Sequence, residues 1–178
     1  SLLEKGYFCV TISYEGKKFT GGKAMEEILK TLDEELELLE SRVGEKRIIL
    51  KTKRVSEWAK CPVCGQLTQK VHSWYWKHVA DLPAMGKMVI LEVQRRLFLC
   101  TNPDCSQKRF SEPMEYLNWS GKRTRRLDNL IEKIAANHSA HGLEKILRND
   151  IVDISDDSIL RLIKKKESNQ HALHDTSE

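Results

Sequence analysis

Residues 7–14 (YFCVTISY) alternate between two faces and are rich in β-branched and aromatic types, which predicts a strand. Glu15-Gly16 then supplies a turn into a second short strand at 17–19, closing a hairpin. From Lys23 to about Val43 the apolar residues Met25, Ile28, Leu29, Leu32, Leu36, Leu39 and Val43 recur every three or four positions, and Gly44 follows as a stop. That spacing predicts one long amphipathic helix. It is also close to a heptad, so the helix is expected either to form a homodimer seam from Met25 to Val43 or to lay its stripe on the hairpin. Residues 46–55 (KRIILKTKRV) read as a strand. Two further strands are expected at Lys70–His78 and Lys87–Leu99, joined by a turn near Asp81–Gly86, with Val89, Leu91, Val93, Leu97 and Leu99 on one face.

The period then changes from two to three or four. Leu127, Leu130, Ile131, Ile134 and Ala135 mark one helix, and Leu143, Ile146 and Leu147 a second. Ile159, Leu160, Leu162 and Ile163 mark a third, which ends at Lys166 and has Ser155 as its N-cap and Asp156 and Asp157 in its first turn. Three short helices in this order predict a helix-turn-helix, with a plain helical bundle as the alternative. Residues 167–178 show no apolar period and are expected to be a disordered tail.

Charge changes the picture only when it is divided along the chain. The whole sequence carries a formal +4, but residues 61–126 hold 11 basic and 5 acidic side chains. A local excess of this kind points to a surface that meets phosphate. No apolar run reaches the 18 or so residues that cross a bilayer, and no charged-then-apolar leader opens the chain, so a soluble, cytoplasmic protein is expected.

Four of the five cysteines fall in two close pairs. Cys61-Pro-Val-Cys64-Gly65 and Cys100-Thr-Asn-Pro-Asp-Cys105 both place turn-forming residues between or after the thiols, which aims two sulfurs at one point. Two such turns supply the tetrahedral sulfur set that zinc prefers, and paired spacing in a non-exported chain favours metal over disulfides. Cys61, Cys64, Cys100 and Cys105 are therefore expected to hold one structural zinc ion, with no position left open for catalysis. His72 and His78 are spare in this scheme, and Cys9 is read as a small side chain in the first strand. Trp74, Tyr75 and Trp76 either cover the thin core of the ribbon, the favoured reading, or stack on nucleic acid.

The expected fold class is α+β in several modules. A β-hairpin and long helix occupy 1–45, a zinc ribbon with an enlarged hairpin 46–115, a helix-turn-helix 122–166 and a tail 167–178. Candidate DNA contacts follow from this layout. Arg161, Lys164 and Lys165 lie off the apolar stripe of the third helix, where a recognition helix meets a groove. Arg95, Arg96, Lys108, Arg109, Lys122, Arg123, Arg125 and Arg126 are candidates for the phosphate backbone.

The string CPVCG at 61–65, VHS at 71–73, ADLP at 80–83, the Arg-Arg-x-x-x-Cys approach at 95–100, NPDC at 102–105 and SDDSILRLIKK at 155–165 resemble the N-terminal region of the ISL-three family of bacterial insertion-sequence transposases. The likeness covers roughly residues 46–166, and residues 1–45 lie outside it. It implies a zinc module and a helix-turn-helix that bind double-stranded transposon-end DNA. It also implies a separate catalytic domain of the RNase H type, with three acidic residues and divalent metal, which is not expected within this sequence; the chain itself is expected not to be an enzyme. The other reading is a transposase-derived regulatory or protein-interaction module, assembled through the ribbon and the N-terminal helix.

Overall fold

The computed structural model describes residues 11–14, 17–20, 22–118, 120–136 and 138–164. Cys9, Lys165 and the tail at 167–178 lie outside them. Strands β1 (Thr11–Tyr14) and β2 (Lys17–Thr20) are followed by helix α1 (Gly22–Lys30) and by β3 (Leu36–Val43) and β4 (Arg47–Arg54). Two short strands, β5 (Ala59–Lys60) and β6 (Leu67–Thr68), precede the long pair β7 (Val71–Ala84) and β8 (Lys87–Leu99), and β9 (Arg109–Ser111) follows. Helices α2 (Arg125–Ala135) and α3 (Ala140–Asp150) come next, with a last short helix, α4, over 156–164.

The expected fold class is corrected by this arrangement. Among the described residues the chain is a sheet-rich α+β fold with four helices, in which one seven-stranded sheet runs in the order β2-β1-β3-β4-β8-β7 and β9 pairs with β8. The long helix does not exist. Helix α1 stops at Lys30, and the Asp33 side chain accepts the Glu35 N–H at 3.0 Å, turning the backbone out of helical continuation. Residues 36–43 then form a strand that pairs antiparallel with β4, matching Glu37 to Lys53 and Glu40 to Lys51 across the ladder. The register slips between Leu38 and Glu40, and Leu39 at this bulge is 39% exposed. The bulge breaks the strand alternation, and the remaining apolar positions fall by coincidence at helical spacing. With the helix gone, the heptad seam for a homodimer goes too.

The sheet mixes a local antiparallel hairpin with parallel pairings that only non-local contacts produce. β3 pairs antiparallel with β4, whereas β1 with β3 and β4 with β8 are parallel. One edge of β8 is shared: β4 pairs with its first half, Met88 to Val93, and β9 with its end, Leu97 to Leu99. One face of the sheet carries the main core. Leu36, Leu38, Ile48, Leu50, Val79, Val89, Leu91 and Val93 pack there against Leu29 of α1 and against Met114, Tyr116 and Leu117. Burial also pushes the Tyr116 hydroxyl well above the ordinary phenol range.

Among the described residues the C-terminal part holds only short helices. Leu127, Ile131, Leu143, Leu147, Ile159 and Leu162 form one cluster, and Ala80 and Leu82 of β7 pack against it. The entry to α2 is hydrogen-bonded to the sheet edge, with Ala80 N–H donating to Lys122 O at 2.9 Å and Thr124 N–H to Ala80 O at 3.0 Å. The three short helices expected here are present and form one cluster fastened to β7. Among the described residues no helix is long and apolar enough to cross a membrane.

Met85 and Gly86 make the two-residue turn between β7 and β8, with φ of +54° and +67°. Two positive values suit a type I′ hairpin, where Asn-Gly is preferred. Met85 is 83% exposed and contributes little packing. Met85→Asn is expected to stabilise the fold by about 0.5–1 kcal/mol, read as a higher thermal unfolding midpoint; a lower midpoint would contradict the turn assignment.

Candidate metal centre and its basic surroundings

Each cysteine pair sits in a loop whose backbone bonds are internal. Cys61 and Cys64 lie between β5 and β6, where Cys61 N–H donates to Gln66 O at 2.9 Å and Gly65 N–H to Cys61 O at 3.0 Å. Gly65 adopts φ +73°, a conformation a side chain would strain. Cys100 and Cys105 lie between β8 and β9. There Cys100 N–H donates to Lys108 O at 3.0 Å, and the Asn102 side chain accepts from Asp104 N–H at 2.9 Å. Lys108 Nζ closes this loop on Pro103 O at 2.8 Å.

The four sulfurs converge, all within 4.8 Å of one another. Cys61 and Cys105 Sγ are 3.9 Å apart and Cys64 and Cys100 Sγ 3.5 Å apart. Tetrahedral Zn–S bonds of about 2.3 Å require sulfurs roughly 3.8 Å apart. A disulfide needs about 2.05 Å. The donor set and its spacing therefore fit one zinc ion, and four protein ligands leave no open coordination position. The Gln66 backbone N–H holds the Cys64 thiol down at about 7, while burial pushes Cys100 up to about 12 and raises Cys105. A bound cation stabilises all four as thiolates.

Behind the sulfurs is a small separate core. Ala59, Cys61, Cys105, Phe98 and Phe110 are buried together, and the two phenylalanine rings stack at 6.0 Å with 19° between planes. So few apolar residues supply little burial energy, which makes the metal the main organiser of this end. His72 and His78 are not in the cluster; they approach Arg109 at 3.4 Å and Glu92 at 3.2 Å. One other group of metal-competent side chains converges among the described residues, His141, Glu144 and Asp156, at the surface; Glu144 already pairs with Arg148 at 2.5 Å.

The basic residues divide into two groups. Arg96 donates through Nε to Glu112 at 2.9 Å and through Nη2 to the same carboxylate, which is fully buried and also meets Arg54. Arg126 donates through Nε to Asp81 at 2.7 Å, and Asp81 is itself buried and accepts the Thr124 hydroxyl at 2.7 Å. Arg123 pairs with Asp128. These three arginines fasten the fold. Arg95 gives one N–H to Glu112 O at 3.0 Å.

Lys108, Arg109, Lys122 and Arg125 are exposed, together with Lys70. Arg161 is exposed and paired with Asp157 at 2.9 Å on α4, which also carries Lys164. Of the five acidic residues in 61–126, Asp81 and Glu112 are buried and Glu92 is half-buried against Arg42. The exposed side chains of the segment therefore keep a basic excess, with only Asp104 and Glu115 as exposed acids.

Trp74 and Tyr75 do not cover a core. They are 55% and 47% exposed, and Trp74 meets the half-buried Trp76 edge to face at 5.9 Å. Lys51 lies over the Trp76 ring at 4.5 Å. The structural roles of Asp81 and Glu112 also escaped the sequence reading; a lone acid next to apolar residues, as in ADLP and FSEP, was the available signal.

Residues 58–108 match the family model described as the zinc-finger of transposase IS204/IS1001/IS1096/IS1165. No curated protein and no solved structure matches the chain. The matched stretch spans both cysteine turns and the hairpin between them, so residues 58–108 form a zinc ribbon similar to that of the ISL-three type of transposase, with four cysteines positioned to bind one zinc ion.

Proposed function

We propose that this chain is the DNA-binding region of a transposase-like protein, acting on double-stranded transposon-end or related DNA in the bacterial cytoplasm, with the cutting and joining chemistry in a separate domain. The observation that carries the reading is the transposase zinc ribbon bordered by exposed cations. Lys70, Lys108, Arg109, Lys122 and Arg125 are exposed in the 61–126 segment, against Asp104 and Glu115 among its acids. Phosphate contacts of this kind supply affinity and position without reading sequence. Exposed Trp74 and Tyr75 add flat surfaces for sugar or base edges. Arg161 and Lys164 on α4 are the candidates for groove contact.

The test is a salt titration of binding to mixed-sequence duplex DNA by the zinc-loaded protein. Each phosphate contact contributes about 0.9 to the slope of log affinity against log salt, so replacing both Lys108 and Arg109 with Gln is expected to flatten it by about two units. Chelating the zinc is expected to abolish the same contribution. Failure of the zinc-loaded protein to bind duplex at low salt would refute the reading.

A further inference from the structure

Beyond the exposed cations lies a second cationic group that is partly enclosed. On the β7–β8 hairpin Tyr75 pairs with Arg95 and Lys77 with Val93, so Lys77 and Arg95 are diagonal neighbours on one face. Both reach over the turn that precedes α2. Gly121 in that turn has φ +60°, and a Cβ placed on it would stand 2.6 Å from Lys77 Nζ and 3.5 Å from Arg95 Nη1. The Lys77 ammonium thus fills the space that a side chain on Gly121 would take, and it lies with the Arg95 guanidinium against this turn. Lys122 follows directly and is exposed.

The charges here are uncompensated among the described residues. Lys77 Nζ donates to Ser120 O at 3.3 Å and Arg95 Nη2 to Glu112 O at 3.0 Å, both carbonyls, and no carboxylate pairs with Lys77, Arg95 or Lys122. The nearby Glu112 carboxylate is committed to Arg54 and Arg96. Arg95 Nε is buried without an acceptor. Burial, with Arg95 and Lys122 close by, holds the Lys77 ammonium below the usual lysine range. Like charges gathered without a counter-ion repel, and a guanidinium short of an acceptor is costly. An oxyanion held among these cations offsets the repulsion, because a planar guanidinium and a point-charge ammonium together suit a phosphate group.

We propose that Lys77, Arg95 and Lys122 around Gly121 form a phosphate pocket which, on the DNA-binding reading above, seats one phosphate of the duplex backbone. Lys77 was not among the residues expected from the sequence. Its place inside the hairpin fixes the bound phosphate relative to the sheet, whereas the exposed lysines grip it loosely.

The experiment has two arms on the zinc-loaded chain. In the first, thermal unfolding is followed in sodium phosphate and in sodium chloride of equal ionic strength. The wild type is expected to be more stable in phosphate by a few degrees, Lys77→Gln to lose that difference, and Lys77→Arg to keep it. In the second, Lys77→Gln is expected to weaken duplex binding about tenfold and to lower the salt slope by about one unit, and Lys77→Gln with Lys122→Gln by about two. Lys133→Gln, an exposed control on α2, is expected to change neither arm. An unchanged slope in Lys77→Gln, alongside the loss produced by Lys108→Gln and Arg109→Gln, would overturn the pocket while leaving DNA binding intact. A Lys77-dependent phosphate effect in a chain that binds no duplex would overturn the DNA source and assign the pocket to free phosphate groups. No phosphate effect and no change in slope would refute it outright.

Discussion

Asp81→Asn is expected to lower the stability of the protein by about 3 kcal/mol, near the low end for breaking a buried ion pair because Arg126 keeps some access to water. Asp81 accepts three hydrogen bonds, from the Thr124 hydroxyl at 2.7 Å, from Arg126 Nε at 2.7 Å and from Arg126 Nη2. Thr124 is also the N-cap of α2, its side chain accepting from Leu127 N–H. One carboxylate therefore positions the helix cap and the arginine behind it, and an amide cannot accept at both oxygens. The loss is expected to be uneven. Amide exchange in α2 and α3 should quicken before that of β4 and β8, because the replaced group joins the helices to the sheet. Denaturant unfolding of Asp81→Asn, Arg126→Met and the double variant measures the pair directly. A loss below 1 kcal/mol in Asp81→Asn would mean that the apolar contacts of Ala80 and Leu82 alone hold the helices in place.

Cys61→Ser is expected to abolish stoichiometric zinc and to unfold the ribbon end of the molecule while the main core survives. Apparent binding free energies for structural zinc are on the order of 10–16 kcal/mol, far more than five buried side chains at that end replace. No residue of the ribbon core belongs to the main core, whose members run from α1 through β3, β4, β7 and β8 to residues 114–117. Metal analysis should give no zinc per chain. Amide protection should fall at Phe98 and Phe110 and persist at Val79 and Leu91. Equal loss at all four positions would show that the metal holds the whole sheet together, and retained zinc would show that three cysteines suffice.

The sequence was most readable where the determining contacts are local. Two cysteine turns and the hairpin between them are written in short spacings, and the zinc site followed from them. The parallel pairing of β4 with β8 was not readable, because it joins segments about 40 residues apart and leaves no periodic trace in either. The helix expected through residues 31–43 failed for a related reason. A bulge at Leu39 spoils the strand alternation, and only the facing lysines of β4 show what Glu37 and Glu40 pair with. Charge was half readable. A basic run is visible in sequence, but the commitment of Arg126 to Asp81, 45 positions away, emerges only in three dimensions. Buried acids claimed Arg96, Arg123 and Arg126, while the exposed Trp74 and Tyr75 went the opposite way from the core position expected of aromatics.

Strand β8 has a consequence for reach. Its 13 residues run unbroken through the main core and end in the ribbon core at Phe98. Ile90, which pairs with Ala80, lies eight residues before Phe98, a span of roughly 27 Å at about 3.4 Å per residue. The partner strand β7 carries the contacts to the helical cluster at Ala80 and Leu82. Zinc end and helix end are thus mounted on one hydrogen-bonded rod, with no linker between them to take up slack. Any ligand that engages both must bring its own groups to that separation, so the hairpin acts as a ruler: inserting or deleting half a helical turn between the two contact points on a duplex would put one of them out of reach.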